Sequence, residues 1–350
     1  MIFRQMFDRQ SSTYSYLIAS RKGGEALILD PVIGRVDHYI RLLDELDLKH
    51  VKVIDTHMHA DHITGLGELR DRTHCITVMG EKSAVDLVSM RVEEGDRVSA
   101  EGVSLQVMYT PGHTDDSYSF LMADRVFTGD TLLIRGTGRT DFQNGDPRKQ
   151  YHSLFDRLLK LPDETLVFPA HDYKGDTVST IGEERRFNPR LQVSSVDEYV
   201  ELMNGLDLPD PKMMDVAIPA NRCQGLSQEE LASQGRVLEP HQAQSLLRRS
   251  KAMLVDLREH DERRKHGVIP GSLHLPYVAL DSALQPGTAL RQLSADAGCQ
   301  LVFYCAYGER SAMAVEAACG AGLTAVSHLK GGFAGWVRAD GPVAPAEAHG

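Results

Sequence analysis

Eight residues, Asp55-Thr-His-Met-His-Ala-Asp-His62, constrain this chain more than anything else in it. They hold three His and two Asp and close a strand-like apolar run, Val51–Asp55. His57 and His59 are two apart, so an extended chain carries them on one side. Asp61 and His62 follow at the entry to a helical pattern, Ala60–Leu69. Neutral imidazole and carboxylate are the side chains that a borderline divalent metal takes.

Three further pieces follow other strand-like runs. Pro111-Gly-His113-Thr follows Ser104–Tyr109, Thr128-Gly-Asp130-Thr follows Arg125–Phe127, and Pro169-Ala-His171-Asp follows Leu166–Phe168. Four apolar strands thus each deliver a His or Asp at the C-terminal end, where loops of α/β sheets converge on ligands. Any one of these histidines alone reads as an ordinary core or surface residue. Together His57, His59, Asp61, His62, His113, Asp130 and His171 point to a metal site.

Around that cluster the first two thirds of the chain alternates short strands with helices. The remaining strand signals are Tyr14–Ile18, Ala26–Asp30, Cys75–Met79 and Ser117–Met122; the helical ones are Val36–Leu46 and Tyr151–Leu159. The pattern predicts a layered α/β domain with mixed sheets. Asn204–Pro211 and Ile218–Gly225, rich in Gly, Pro and Asn, read as linker. Ser227-Gln-Glu-Glu230 resembles a capping box before a short helix. A second α/β unit of about 110 residues begins near Val237, with a helix over Pro240–Arg249, strands over Met253–Leu257 and Leu301–Tyr304, and an Ala-rich helix over Ser311–Cys319. The tail after Val343 reads as frayed. The expected domains are 1–235 and 236–350.

Composition narrows the partners. With 38 basic and 49 acidic side chains the net charge is −11, the excess lying in the first 240 residues, which disfavours nucleic acid. No apolar run approaches the roughly 20 residues of a membrane span, and none near the start forms a signal core. Five Cys, odd in number and without a CxxC pair, are no disulfide framework and fit a reducing, cytoplasmic setting.

The His57-x-His59-x-Asp61-His62 motif, with His113, Asp130 and His171, resembles the metallo-β-lactamase fold superfamily over roughly residues 1–235. That resemblance implies an αββα sandwich with the metal site at one edge. Gly136-Thr-Gly-Arg-Thr-Asp-Phe-Gln143, His171-Asp-Tyr-Lys-Gly175 and Asn188-Pro-Arg190 resemble the persulfide dioxygenases. The resemblance implies one Fe(II) per chain held by His57, His113 and Asp130, with His59, Asp61, His62 and His171 supporting those ligands. A two-His, one-carboxylate set leaves positions open on Fe(II) for a substrate sulfur and O₂. Nothing in the spacing forbids a second metal at His59, Asp61, His62 and His171. The family substrate is glutathione persulfide, and the matching motifs imply contacts from Arg139, Tyr173 and Arg190, with Lys174 adjacent.

Leu301-Val-Phe-Tyr-Cys305-Ala-Tyr-Gly-Glu-Arg310-Ser311 reads as strand, loop and helix. Loop N–H groups and the helix N-terminus stabilise a thiolate at Cys305, and Arg310 adds positive charge. Cys299 and Cys319 read as inert. The unit resembles a rhodanese sulfurtransferase domain through Val255-Asp-Leu-Arg-Glu259, His266-Gly-Val-Ile-Pro-Gly-Ser-Leu-His-Leu-Pro276 and Leu329-Lys-Gly-Gly-Phe-Ala-Gly-Trp336. The six-residue loop Cys305–Arg310 goes with sulfur donors in that fold. The next position, often Arg in rhodaneses, is Ala306. Asp256 and Arg258 match residues that brace the active loop.

The fold expected is therefore α/β, a metallo-β-lactamase-like sandwich followed by an α/β rhodanese domain. The joint resemblance implies oxidation of glutathione persulfide to sulfite and glutathione, coupled to sulfur transfer between thiosulfate and glutathione through a Cys305 persulfide. Its partners are small thiols, persulfides and O₂, with a homo-oligomer left open. Two alternatives stand beside it: a dizinc hydrolase of acylglutathione thioesters like glyoxalase II, and a rhodanese unit serving only to carry sulfur or bind a partner.

Overall fold

The computed structural model describes residues 1–86, 88–208, 213–223, 229–296 and 300–346. Contacts divide the chain into two compact units, one of Met1–Asp86 with Arg91–Gln224 and one of Leu87–Met90 with Gly225–Gly350. Ser227 and Gln228 of the capping signal, and Cys299, lie outside the described residues; a short helix, Glu229–Ser233, follows the capping signal.

The first unit holds two six-stranded sheets. One runs in chain order through β1 (Ile2–Asp8), β2 (Thr13–Ala19), β3 (Glu25–Leu29), β4 (Lys49–Ile54), β5 (Ile76–Gly80) and β6 (Met90–Val92). The other comprises β7 (Arg97–Ala100), β8 (Val103–Tyr109), β9 (Tyr118–Leu121), β10 (Arg125–Gly129), β11 (Leu166–Pro169) and β12 (Ser179–Thr180), in the order β12-β11-β10-β9-β8-β7. Strands β3, β4 and β5 run parallel, as do β10 and β11. The sheets meet through aromatic rings: Phe3 lies 4.9 Å from Phe168 and Tyr16 lies 5.0 Å from Phe127. Helices Pro147–Phe155 and Val196–Asn204 cover the outer face of the second sheet, burying Leu154, Tyr199 and Met203 with Val126 and Val167. In the first sheet every residue of β2 and β5 is buried.

Three elements depart from the sequence expectation. The helix expected over Ala60–Leu69 spans Leu66–Thr73 instead. Residues 58–64 stay irregular because the His59 and His62 carbonyls bond to the distant Asn221 side chain and the Ile63 carbonyl to the Ile33 N–H rather than along a helix. The helix expected over Tyr151–Leu159 is Pro147–Phe155, since the Asp146 carboxylate accepts from the N–H groups of Arg148 and Lys149 and Pro147 suits the first turn. Ile218–Gly225, expected as linker, contributes most of its described residues to the helix Met214–Arg222, which tolerates Pro219 internally.

The second unit is a parallel sheet in the order β13-β17-β16-β14-β15: β13 (Val237–Leu238), β14 (Ala252–Asp256), β15 (Leu273–His274), β16 (Gln300–Tyr304) and β17 (Val326–Leu329). Its core packs Ala243, Leu254, Val302, Tyr304, Phe333 and Trp336. The tail beyond Val343 is ordered through Ala344, whose N–H and C=O both bond to Val268. Buried Asp256 accepts from Arg258 at 2.9 and 2.7 Å, from Arg263 at 3.2 Å and from the Tyr304 hydroxyl at 2.7 Å. Arg258→Ala leaves that buried carboxylate only Arg263 and Tyr304 as side-chain partners among those named and is expected to destabilise the domain by about 3 kcal/mol. A chemical denaturation curve of the full chain checks this; an unshifted second-domain transition contradicts it.

Candidate active sites

Four strand ends bring the first site together. β4 leads into His57, β8 leads to His113, β10 ends immediately before Asp130, and β11 precedes His171. His57, His113, Asp130, His59, His62 and His171 are all buried, and Asp61 is half-buried.

The donor atoms fall into adjoining sets. His57, His113 and Asp130 place one ligand atom each within 4.8 Å of one another, and His59, Asp61, His62 and His171 do the same. Hydrogen bonds fix which nitrogens are free. Thr56 Oγ1 donates to Asp30, so it accepts the Nδ1–H of His57 at 3.0 Å. The Arg139 carbonyl accepts the Nδ1–H of His113 at 2.7 Å. Both rings therefore carry their lone pair on Nε2, and both Nε2 atoms face Asp130 Oδ2, at 4.0 and 3.5 Å. Burial, reinforced by the neighbouring His59 charge, holds His57 well below the usual imidazole range. A neutral imidazole is the ligand form. Two such rings and one carboxylate fit a ferrous ion.

The second set is bonded to itself. His171 lies between carboxylates, Nδ1 at 2.7 Å from Asp130 Oδ1 and Nε2 at 2.8 Å from Asp61 Oδ2, so both nitrogens are protonated. Burial opposes that charge, but Asp130 and Asp61 outweigh it and hold His171 well above its ordinary value. Desolvation alone would raise Asp61, yet His171 and His62 hold it well below the carboxylate range. His62 Nδ1 donates to Asp61 at 3.0 Å. His59, Asp61, His62 and His171 are also a donor set that could hold a metal ion. His59 turns its Nε2 away, to Asp30 at 3.1 Å.

A cavity of about 1030 Å³ opens over these groups. Arg139, Tyr173, Lys174 and Arg190 all line it. Tyr173 is 70% exposed and its ring lies parallel to His171, 6.0 Å away. Arg139 forks onto Asp141 at 2.6 Å through two nitrogens, so its main service to the centre is the carbonyl that orients His113. Arg190 reaches the Thr137 carbonyl. The Lys174 backbone N–H bonds Asp172 at 2.9 Å, and its side chain is exposed. Behind them the Tyr199 hydroxyl bonds Gln150, whose amide holds the Gly138 carbonyl.

Several supporting residues escaped the sequence reading. Asp30 ends a strand as the ligands do, so a signal existed. Thr13, 3.1 Å from His171 Nε2, and Asp116, which accepts the Met58 N–H at 3.2 Å, gave none.

In the second unit Cys305 directly follows β16 and the helix Glu309–Gly320 follows the loop. Its Sγ accepts the Gly308 N–H at 3.1 Å and lies 3.8 Å from Ser311 Oγ. The Cys305 carbonyl accepts from Phe333 N–H at 2.7 Å, an approach that needs Gly332: a Cβ there would sit 2.5 Å from that oxygen. Cys305 is 0% exposed. Arg310, expected to present its charge to substrate, does not face an open site. It is fully buried and its fork closes on Glu262 at 2.6 and 2.7 Å, which makes it a brace between the loop and the helix His260–His266.

Residues 8–171 match the metallo-β-lactamase superfamily and residues 239–339 the rhodanese-like domain. The persulfide dioxygenase ETHE1 of Mus musculus is 43% identical over 227 residues, covering 64% of this chain and 89% of the relative. The chain belongs to the persulfide dioxygenase family. The crystal structure of ETHE1 from Myxococcus xanthus superposes with a TM-score of 0.62 at 52% identity, over 63% of this chain and 98% of that one. A Staphylococcus aureus metallo-β-lactamase structure matches 95% of this chain and 98% of its own at a TM-score of 0.60; at 20% identity it shows the fold alone. The first domain is thus a persulfide dioxygenase domain and the second a rhodanese sulfurtransferase domain. Among the described residues no helix is long and apolar enough to cross a membrane.

Proposed function

We propose that residues 1–235 oxidise glutathione persulfide at one ferrous ion and that residues 236–350 generate it by transferring sulfur from thiosulfate to glutathione. The observation that supports the iron reading is the convergence of His57 Nε2 and His113 Nε2 on Asp130 Oδ2. His57, His113 and Asp130 would hold the iron, which supplies open positions and electrons for O₂ chemistry.

The chain's own groups supply the rest. Thr56 and the Arg139 carbonyl keep the two imidazoles in the ligand tautomer. His171 holds Asp130 Oδ1 and leaves Oδ2 directed at the centre. The cavity receives the tripeptide, with Arg190 and Lys174 facing its carboxylates and Tyr173 at the mouth. Persulfide, O₂ and water yield glutathione and sulfite, two sulfite oxygens coming from O₂ and one from water. In the rhodanese domain the Cys305 thiolate takes the outer sulfur of thiosulfate and releases sulfite. Glutathione then removes that sulfur as its persulfide. Because Cys305 is covered, each transfer requires its cover to move.

Metal analysis of the purified chain tests the first half. One iron per chain is expected. Two zinc ions with acylglutathione hydrolysis would favour the hydrolase reading.

A further inference from the structure

Asn221 sits on the helix Met214–Arg222, in a stretch whose composition reads as linker, and it is 2% exposed. Its Oδ1 accepts the Thr64 N–H at 2.9 Å, and its Nδ2 donates to the carbonyls of His59 at 2.9 Å and His62 at 2.8 Å. A primary amide has two N–H donors, so both are spent on the loop that carries the ligand motif. That loop is irregular and largely buried, and among the described residues the backbone of 59–64 is bridged to a neighbouring segment only at its far end, where Ile33 N–H bonds the Ile63 carbonyl at 2.9 Å. Its near end is held elsewhere: Asp116 takes the Met58 N–H at 3.2 Å and Gln143 donates to the Met58 carbonyl at 3.0 Å. Past Met58, among the described residues, the His59 and His62 carbonyls bond only to Asn221.

We infer that Asn221 is a positioning residue of the metal centre, clamping residues 59–64 so that His57, Asp61 and His62 keep their places. It acts through the backbone and touches neither metal nor substrate. The inference rests on the metal reading of His57, His113 and Asp130. Side chains that orient ligands without contacting the metal are worth about 10–100-fold in metal affinity or activity.

Asn221→Asp isolates the two donor bonds. It keeps the size and the acceptor for Thr64, removes both amide N–H donors, and sets a carboxylate oxygen against two carbonyls. Ala217→Gly is the comparison: it weakens the same helix at a buried position without touching the loop. The full chain, loaded anaerobically with Fe(II), is challenged with a chelator while iron loss is followed, and kcat, KM and sulfur transfer are measured on the same samples. Asn221→Asp is expected to lose iron roughly 10–100-fold faster than wild type, with lowered kcat and little change in KM. Ala217→Gly should hold iron as wild type does, and sulfur transfer should stay unchanged in both. Iron loss at the wild-type rate in Asn221→Asp overturns the inference, as does equal acceleration in both variants. A wild-type chain that takes up no Fe(II) overturns the metal reading itself.

Discussion

His113→Ala is expected to cut oxygen uptake with glutathione persulfide by more than roughly 100-fold and to release the iron. His113 supplies one of three donor atoms, its Nδ1–H is tied to Arg139, and its Nε2 lies 3.5 Å from Asp130 Oδ2. Alanine removes both the donor and the partner that the carbonyl needs. Losing a supporting contact at a metal site costs about 10–100-fold, and losing a ligand costs more. Sulfur transfer should be untouched, because Cys305 belongs to the other compact unit. Iron content by metal analysis and oxygen uptake by electrode check the result. A variant that retains both iron and activity removes His113 from the centre.

Cys305→Ser should produce the complementary loss. A neutral hydroxyl is a poor nucleophile compared with a thiolate, and serine cannot form the persulfide that carries the sulfur. Transfer from thiosulfate to glutathione should fall to background. Oxygen uptake driven by thiosulfate plus glutathione should vanish with it, yet return fully when glutathione persulfide is added directly. The His113→Ala protein should fail under both conditions. That pairing separates supply of the intermediate from its oxidation. Transfer persisting in Cys305→Ser would mean that another group carries the sulfur.

The parts legible from sequence share one property: the signal was local. Strand ends followed by His or Asp placed His57, His113, Asp130 and His171, because strand direction and loop position follow from short apolar runs. The thiol loop was equally plain, since Cys305, Gly308 and the helix start are neighbours. What escaped depends on contacts across the chain. Residues 60–64 showed helical spacing but are held open by Asn221, 157 residues beyond Thr64. The same distance hid the helix Met214–Arg222, whose Pro and Asn content suggested linker although Ala217 and Asn221 are buried. Arg310 looked like a substrate cation because its partner, Glu262, lies 48 residues away.

The most direct test measures oxygen, sulfite and glutathione together, with the iron-loaded full chain and glutathione persulfide as sole substrate. One O₂ consumed for each sulfite and each glutathione formed is the predicted result. Glutathione persulfide left unoxidised, with no oxygen consumed and no sulfite formed by the iron-loaded chain, would contradict it.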